Sequence, residues 1–187
     1  MKDKIVRSSY LINNFEIHFK DICLEYNPKS VLEIGLLDGY SLEAFAKNLP
    51  YSSKILGIDI FESYEFKNAE YKYLVEKFEE YKNVKIEYGD FYDYFLLGYT
   101  FDLIHIDISN DADIFEFAIK NYLPLCNKAL VLEGGTKERD EVGWMVRHNK
   151  KPISNYLNTL NTNLNFKVIK DFPSMTIIKK WRNFEII

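Results

Sequence analysis

The residues able to do chemistry in this chain recur at one kind of place, the end of a short apolar run. Glu33, Gly35 and Gly39 close the run that starts at Val31. Asp59 and Ile60 close KILGIDI. Gly89, Asp90 and Phe91 follow VKIEY, Asp107 closes FDLIHID, and Glu133 and Gly134 close ALVLEGG. A carboxylate accepts hydrogen bonds from hydroxyl or amine groups, and glycine lets a backbone come close to a ligand. The same pairing at successive run ends describes one ligand-binding edge better than unrelated accidents. Phosphate-rich ligands fit it poorly, because the carboxylates would repel them. The dinucleotide fingerprint G-x-G-x-x-G fails, since Leu37 and Tyr40 stand where its second and third glycines belong. That disfavours a nicotinamide dehydrogenase. No Gly-Lys-Ser/Thr completes a phosphate-binding loop either.

The elements that must position these residues are legible in the apolar periodicity. Leu11, Phe15, Phe19 and Ile22 predict a helix over Ser9–Tyr26 that stops before Pro28. Ser30–Ile34 reads as a strand, Ser41–Leu49 as a helix ended by Pro50, and Lys54–Ile60 as a second strand. Tyr71, Leu74, Val75, Phe78 and Tyr81 form a helical stripe expected in the core. VKIEYGD and FDLIHID are the third and fourth strands. Asp113 followed by Glu116 resembles a capping box opening a helix to Tyr122. ALVLEGG is the fifth strand. Alternating helices and nearly continuous apolar strands imply an α/β fold, a doubly wound, mostly parallel sheet with helices on both faces. FKVIKDF and SMTIIKK are separated by little more than Pro173, so they pair as a C-terminal antiparallel hairpin. A sheet of seven strands is expected, in a single domain over residues 1–187 with an N-terminal helical segment at 1–28.

Ligands of such sheets bind beyond the carboxyl ends of the strands. An acidic edge suits a ligand with an amine, a ribose and a sulfonium, a description that S-adenosylmethionine meets. On these residues the chain resembles the class I S-adenosylmethionine-dependent methyltransferases, from about Ser30 to Lys180. That family's first motif is E/D-x-G-x-G-x-G, and Glu33, Gly35 and Gly39 match it, with Leu37 in place of the middle glycine. Gly39-Tyr40-Ser41 resembles the small O-methyltransferases of the catechol and cephalosporin-pathway type. The resemblance implies that Asp59, about 20 residues past Gly39, holds the ribose hydroxyls. It implies that Gly89, Asp90 and Phe91 hold adenine and that Asp107 lies near the sulfonium. Glu33, Gly35, Gly39, Ser41 and Ile60 complete the expected cofactor pocket.

The acceptor end is less defined. Some of these relatives hold a divalent metal with the fourth-strand Asp and two acidic or amide residues after strand five. Asp107 and Glu133 match two of the three, and Gly134 replaces the third. Asn110 stands where the catechol type carries a lysine base. A metal is therefore left open. Asp107, Glu133 and His148 are the candidates for acceptor chemistry. His105, within a strand, reads as a core residue, and His18 as surface or packing. The stretch from Gly134 to Pro152 carries Lys137, Arg139, Arg147, Lys150 and Lys151 around Trp144 and Met145. It reads either as a solvated amphipathic helix or as a lid closing over an acidic acceptor, hinged at Gly134-Gly135.

Composition narrows the classes. The 187 residues are 47% hydrophobic and 28% charged with a net charge of −4, which argues against nucleic acid as the main partner. No apolar run is long enough for a membrane span, and the N-terminus lacks the apolar core of a signal peptide, so a cytoplasmic protein is expected. Cys23 and Cys126 belong to no metal-spaced pair and read as buried thiols. The functional expectation is methyl transfer to a small-molecule hydroxyl, with homo-oligomerisation left open. A non-catalytic cofactor-binding or regulatory protein on the same fold is the alternative.

Overall fold

The computed structural model describes residues 8–61, 69–160 and 164–180. Its seven strands form a mostly parallel sheet in the order β3-β2-β1-β4-β5-β7-β6, with helices around it and an antiparallel C-terminal arrangement of β5, β7 and β6. Strand labels follow chain order: β1 Ser30–Ile34, β2 Lys54–Asp59, β3 Val84–Tyr88, β4 Phe101–Ile106, β5 Cys126–Glu133, β6 Phe166–Ile169 and β7 Met175–Lys179. The chain divides into two compact units, Met1–Phe91 and Tyr92–Ile187.

In the first unit, β1, β2 and β3 are parallel neighbours, with Ile34 beside Ile58 and Asp59 beside Tyr88. Their crossovers carry helices α3 (Tyr40–Asn48) and α4 (Tyr71–Lys77), preceded by α1 (Ser9–Ile12) and α2 (Glu16–Tyr26). Leu42 and Phe45 of α3 are fully buried, each worth about 1.5–3 kcal/mol in apolar transfer. Phe45 meets Phe19 of α2 edge-on at 5.3 Å, and Phe19 meets Tyr10 of α1 at 5.1 Å. Gly57 has no room for a side chain, because a Cβ there would lie 2.9 Å from Leu42 and 3.0 Å from Leu36.

Two expectations are corrected in this unit. The single helix over Ser9–Tyr26 is broken at Asn13-Asn14. Asn14 takes a left-handed φ of 54°, and Asn13 turns its side-chain amide back to donate to the Ser9 carbonyl at 2.8 Å. Asparagine offers the backbone such local alternatives to a helix. The break resets the buried face, so Tyr10 is in the core while Leu11 is 51% exposed. The stripe of α4 is also narrower than its periodicity suggests. Leu74 and Phe78 are buried, but the helix ends at Lys77 and leaves Tyr71 and Val75 exposed.

A short helix α5 (Phe91–Tyr94) follows β3. In the second unit, β4 and β5 are parallel, with Ile106 beside Leu132. The hairpin of β6 and β7 is antiparallel and joins the unit through β5, with Leu130 beside Ile178. Helix α6 (Ala112–Asn121) opens differently from the expected capping box. Asp111 is its cap and accepts from the Asp113 N–H at 3.1 Å, while Asp113 pairs with Lys151 at 2.7 Å. Between β5 and β6 lie α7 (Lys137–Asp140), α8 (Gly143–Arg147) and α9 (Ile153–Thr159). Among the described residues, no helix is long and apolar enough to cross a membrane.

Candidate active site

The expected cofactor residues lie in the first unit, apart from Asp107. The loop from Gly35 to Gly39 leaves β1 in an unusual backbone shape. Gly35, Leu37 and Gly39 all have positive φ, at 89°, 46° and 70°. Leu37 thus takes a left-handed conformation that a non-glycine residue adopts only at some cost. A Cβ at Gly39 would sit 2.7 Å from Phe78 and 2.9 Å from Leu74, so sterics as well as φ demand glycine there. The loop N–H groups are largely tied down: Gly35 donates to the Ile58 carbonyl at 3.0 Å and Gly39 to the Leu36 carbonyl at 2.6 Å.

Three side chains hold this loop. Glu33, fully buried on β1, accepts a short hydrogen bond from the Ser41 hydroxyl at the start of α3. Asp59, at the end of β2, accepts from the Leu36 N–H on one oxygen and from the Phe61 N–H on the other, both at 2.8 Å. Each carboxylate oxygen accepts more than one bond, so both retain capacity on their outer lone pairs. Lys77 of α4 donates to the Asp38 carbonyl at 3.0 Å and pairs with Glu43 of α3 at 2.8 Å. Burial works against the charged form of Glu43, but Lys47 and Lys77 outweigh it and hold its carboxyl below the usual range. Sequence reasoning missed Lys77, whose contact with the loop spans 39 residues. Ile60 follows Asp59 and is half-buried, and the Gly89 N–H donates to the Asp59 carbonyl at 3.0 Å. Asp90 is exposed and Phe91 buried at the start of α5. The groups present fit a ribose: a carboxylate with spare acceptor capacity beside a loop closed to a side chain at Gly39.

The expected acceptor residues lie in the second unit. Parallel pairing brings Asp107 and Glu133 together just past Ile106 and Leu132. Burial alone would raise the Glu133 carboxyl, but hydrogen bonding with Asp107 and the charge of Arg139 hold it below the ordinary carboxylate range. Arg139 Nη2 lies 3.1 Å from Glu133 Oε1, with the two side chains only 14% and 7% exposed. Asn110, also buried, can turn its amide two ways. In one, Nδ2 donates to Glu133 Oε2 at 3.3 Å. In the other, Nδ2 donates to the Glu133 carbonyl at 2.9 Å and Oδ1 accepts from Arg139 Nε at 3.2 Å and from Nη2. The second satisfies both ends of the amide, and we assign it. Sequence reasoning placed Arg139 only among the basic residues of the lid. Its arrival beside Glu133 depends on α7 starting at once after the two glycines, and no spacing signals that.

The charge of Arg139 beside Glu133 works against a divalent metal at this pair. Among the described residues, no cluster of three or more His, Cys, Asp or Glu could hold one. Gly134 also has no space for a ligand, since a Cβ would lie 2.8 Å from the end of the Asn110 amide and 2.8 Å from Ile153.

The 134–152 stretch is less loose than its sequence suggests. The Gly134 N–H donates to the Ser174 carbonyl at 2.9 Å, and the Gly134 carbonyl accepts from the Thr176 hydroxyl at 2.8 Å. A Cβ at Gly135 would collide with Thr176 Oγ1. The glycine pair therefore serves close packing against β7, not hinge slack. Asp140 is buried and accepts from the Ile153 and Ser154 N–H groups, both at 2.9 Å, capping α9. Met145 is buried, while Trp144 stacks on His148 at 5.3 Å and Lys150 lies over the indole at 5.6 Å. Most of the expected cationic field is neutralised locally. Lys137 pairs with Glu141, Arg139 with Glu133, Lys150 with Asp111 and Lys151 with Asp113.

His105 is fully buried in β4, and His18 stacks on Phe15 at 4.4 Å. Cys23 and Cys126 are buried free thiols.

A parallel sheet closed by an antiparallel hairpin, with acids at its strand ends, defines a methyltransferase-type Rossmann-like fold. The sequence profile of the O-methyltransferase family matches residues 4–171, so the chain belongs to that family. No curated protein matches it. Three solved structures show the same fold at low identity. An O-methyltransferase from Bacillus cereus, in complex with SAH, has a TM-score of 0.62 and 16% identity, covering 89% of this chain and 81% of its own. The O-methyltransferase TomG from Streptomyces achromogenes, in complex with SAM and involved in tomaymycin synthesis, has a TM-score of 0.64 and 16% identity, covering 95% and 82%. The SAH-bound methyltransferase PaMTH1 from Podospora anserina has a TM-score of 0.60 and 18% identity, covering 95% and 80%.

Proposed function

We propose that this chain is an S-adenosylmethionine-dependent methyltransferase acting on the hydroxyl oxygen of a small molecule. The observation that carries the reading is the Gly35–Gly39 loop, with left-handed residues at alternate positions and its Leu36 N–H fixed to Asp59. Family membership and SAM- or SAH-bound structures of the same fold support it.

The cofactor would supply an electrophilic methyl group on a sulfonium, a good leaving group. What the protein must add is position and a proton acceptor. Asp59 would accept the ribose hydroxyls on the lone pairs its backbone bonds leave. Glu33 and Ser41 would act one step back, keeping β1 and α3 in register so that the loop stays open. Gly89, Asp90 and Phe91 would border the adenine, and Ile60 would pack against it. At the acceptor end, Asp107 and Glu133 are the carboxyl groups placed to take the proton from the hydroxyl as it attacks. Glu133, held in its charged form by hydrogen bonding with Asp107 and by the charge of Arg139, is the carboxylate that would take the proton, with Asp107 donating to it. The α7–α8 segment, with Trp144, Arg147 and His148, would cover the acceptor.

One observation favours the non-catalytic alternative: Arg139 already pairs with the Glu133 carboxylate inside the protein. Turnover separates the two readings. The purified chain is incubated with S-adenosylmethionine and a panel of phenolic, catecholic, carboxylic and sugar hydroxyl acceptors, and S-adenosylhomocysteine release is followed. Acceptor-dependent release that Glu133→Gln abolishes is the expected result. Cofactor binding with no release across the panel would favour the regulatory reading.

A further inference from the structure

Arg139 occupies an unusual place for a cation. It belongs to a four-residue helix, yet its guanidinium is turned inward to the end of β5 rather than out to solvent. It is held on three sides. Glu133 pairs with Nη2 at 3.1 Å, Asn110 accepts from Nε at 3.2 Å, and the Phe172 ring lies 5.7 Å from the guanidinium carbon. Burying an arginine costs several kcal/mol unless it is paired and hydrogen-bonded, and here it is both. Gly134, next to Glu133, has a φ of 104° and no room for a side chain. No third ligand could therefore be added at that position. A divalent ion on the Asp107–Glu133 pair would also sit within a few ångströms of a fixed positive charge, in surroundings that screen it weakly.

We propose that the guanidinium of Arg139 is the resident cation of this site: paired with Glu133, it occupies the carboxylate a divalent metal would need, and the site binds no metal. Two of its nitrogens are engaged by Glu133 and Asn110, while Nη1 has no partner among the described residues. Nη1 is the donor left that would meet the acceptor oxygen as it loses its proton. This last role rests on the methyl-transfer reading. The exclusion of metal does not.

The test is a Mn²⁺ titration of the full chain, followed by the EPR signal of free Mn²⁺, with no cofactor or acceptor present. Wild type is expected to bind no Mn²⁺ at micromolar to low-millimolar concentration. Arg139→Gln keeps a hydrogen-bonding side chain but removes the charge, and it should bind Mn²⁺ about tenfold more tightly or better. The gain should vanish in Arg139→Gln/Asp107→Asn. Stoichiometric Mn²⁺ binding by wild type, lost in Asp107→Asn, would overturn the inference and leave methyl transfer standing. If wild type and Arg139→Gln both fail to bind, Gly134 alone excludes the metal and the role given to Arg139 is overturned. Should Arg139→Gln not fold, Arg139→Lys replaces it. A Lys keeps the charge, so this variant should still reject Mn²⁺, and Mn²⁺ uptake by it would count against a charge-based exclusion. Where an acceptor is known, Arg139→Lys should raise KM for it severalfold, and turnover should be indifferent to EDTA.

Discussion

Asp59 carries two duties at once, and its mutants should show both. Its oxygens fix the Leu36 and Phe61 N–H groups at 2.8 Å, so it is more than a ribose acceptor waiting in a cleft. Asp59→Ala should weaken S-adenosylhomocysteine binding by roughly 1.5–3 kcal/mol, the scale of charged hydrogen bonds. It should also lower Tm, because two N–H groups lose their partner. Asp59→Asn, which keeps one acceptor oxygen, should fall between. Calorimetry and thermal melts on the same preparations check this, and unchanged affinity in a folded Asp59→Ala would leave the residue only a loop cap. The carboxylates, glycines and their order along the chain were legible from residue types alone. The pairing of Glu133 with Arg139 was not, because a salt bridge depends on where a short helix points.

At the scale of elements, the β1–α3 loop and the α7–α8 segment make different demands. The loop is rigid by sterics. Gly39→Ala forces a side chain into Phe78 at a φ of 70°, and should cost about 1–3 kcal/mol of stability along with cofactor affinity. A folded Gly39→Ala that binds the cofactor normally would show that the loop tolerates more than its geometry implies. The α7–α8 segment is anchored at Asp140 and Met145 but presents Trp144, Arg147 and His148 outside the core. Changing those three to alanine should leave cofactor affinity within about 0.5 kcal/mol, as expected of non-contacting surface sites. It should cut kcat/KM for the true acceptor by about tenfold or more, near 1.4 kcal/mol of transition-state binding. Loss of folding or of cofactor binding would make the segment scaffold. Strands and hairpin were readable because a buried strand is a continuous apolar run and a short link permits only one pairing. Helix ends were read less well. Asn13-Asn14 and Asp111 decide theirs through side-chain bonds to the backbone, and periodicity does not register such bonds.

For the molecule as a whole, the two thiols set a pH limit on stability. Burial pushes Cys23 up from 9.0 to about 12 and also raises Cys126. The folded values lie above the unfolded ones, so this contribution is complete below about pH 9 and is lost as pH rises above it, by about 1.4 kcal/mol per pH unit for each thiol. Urea melts on either side of that pH should show the decline, and Cys126→Val should make it shallower. An identical slope in the variant would mean that other groups set the limit. The central claim is that the strand ends of the first unit hold S-adenosylmethionine. Titration calorimetry of the wild-type chain with S-adenosylhomocysteine tests it most directly, with NAD as the control. Saturable one-to-one binding, weakened in Asp59→Ala and accompanied by a rise in Tm, is the predicted result. No heat with S-adenosylhomocysteine, together with saturable binding of NAD, would contradict it.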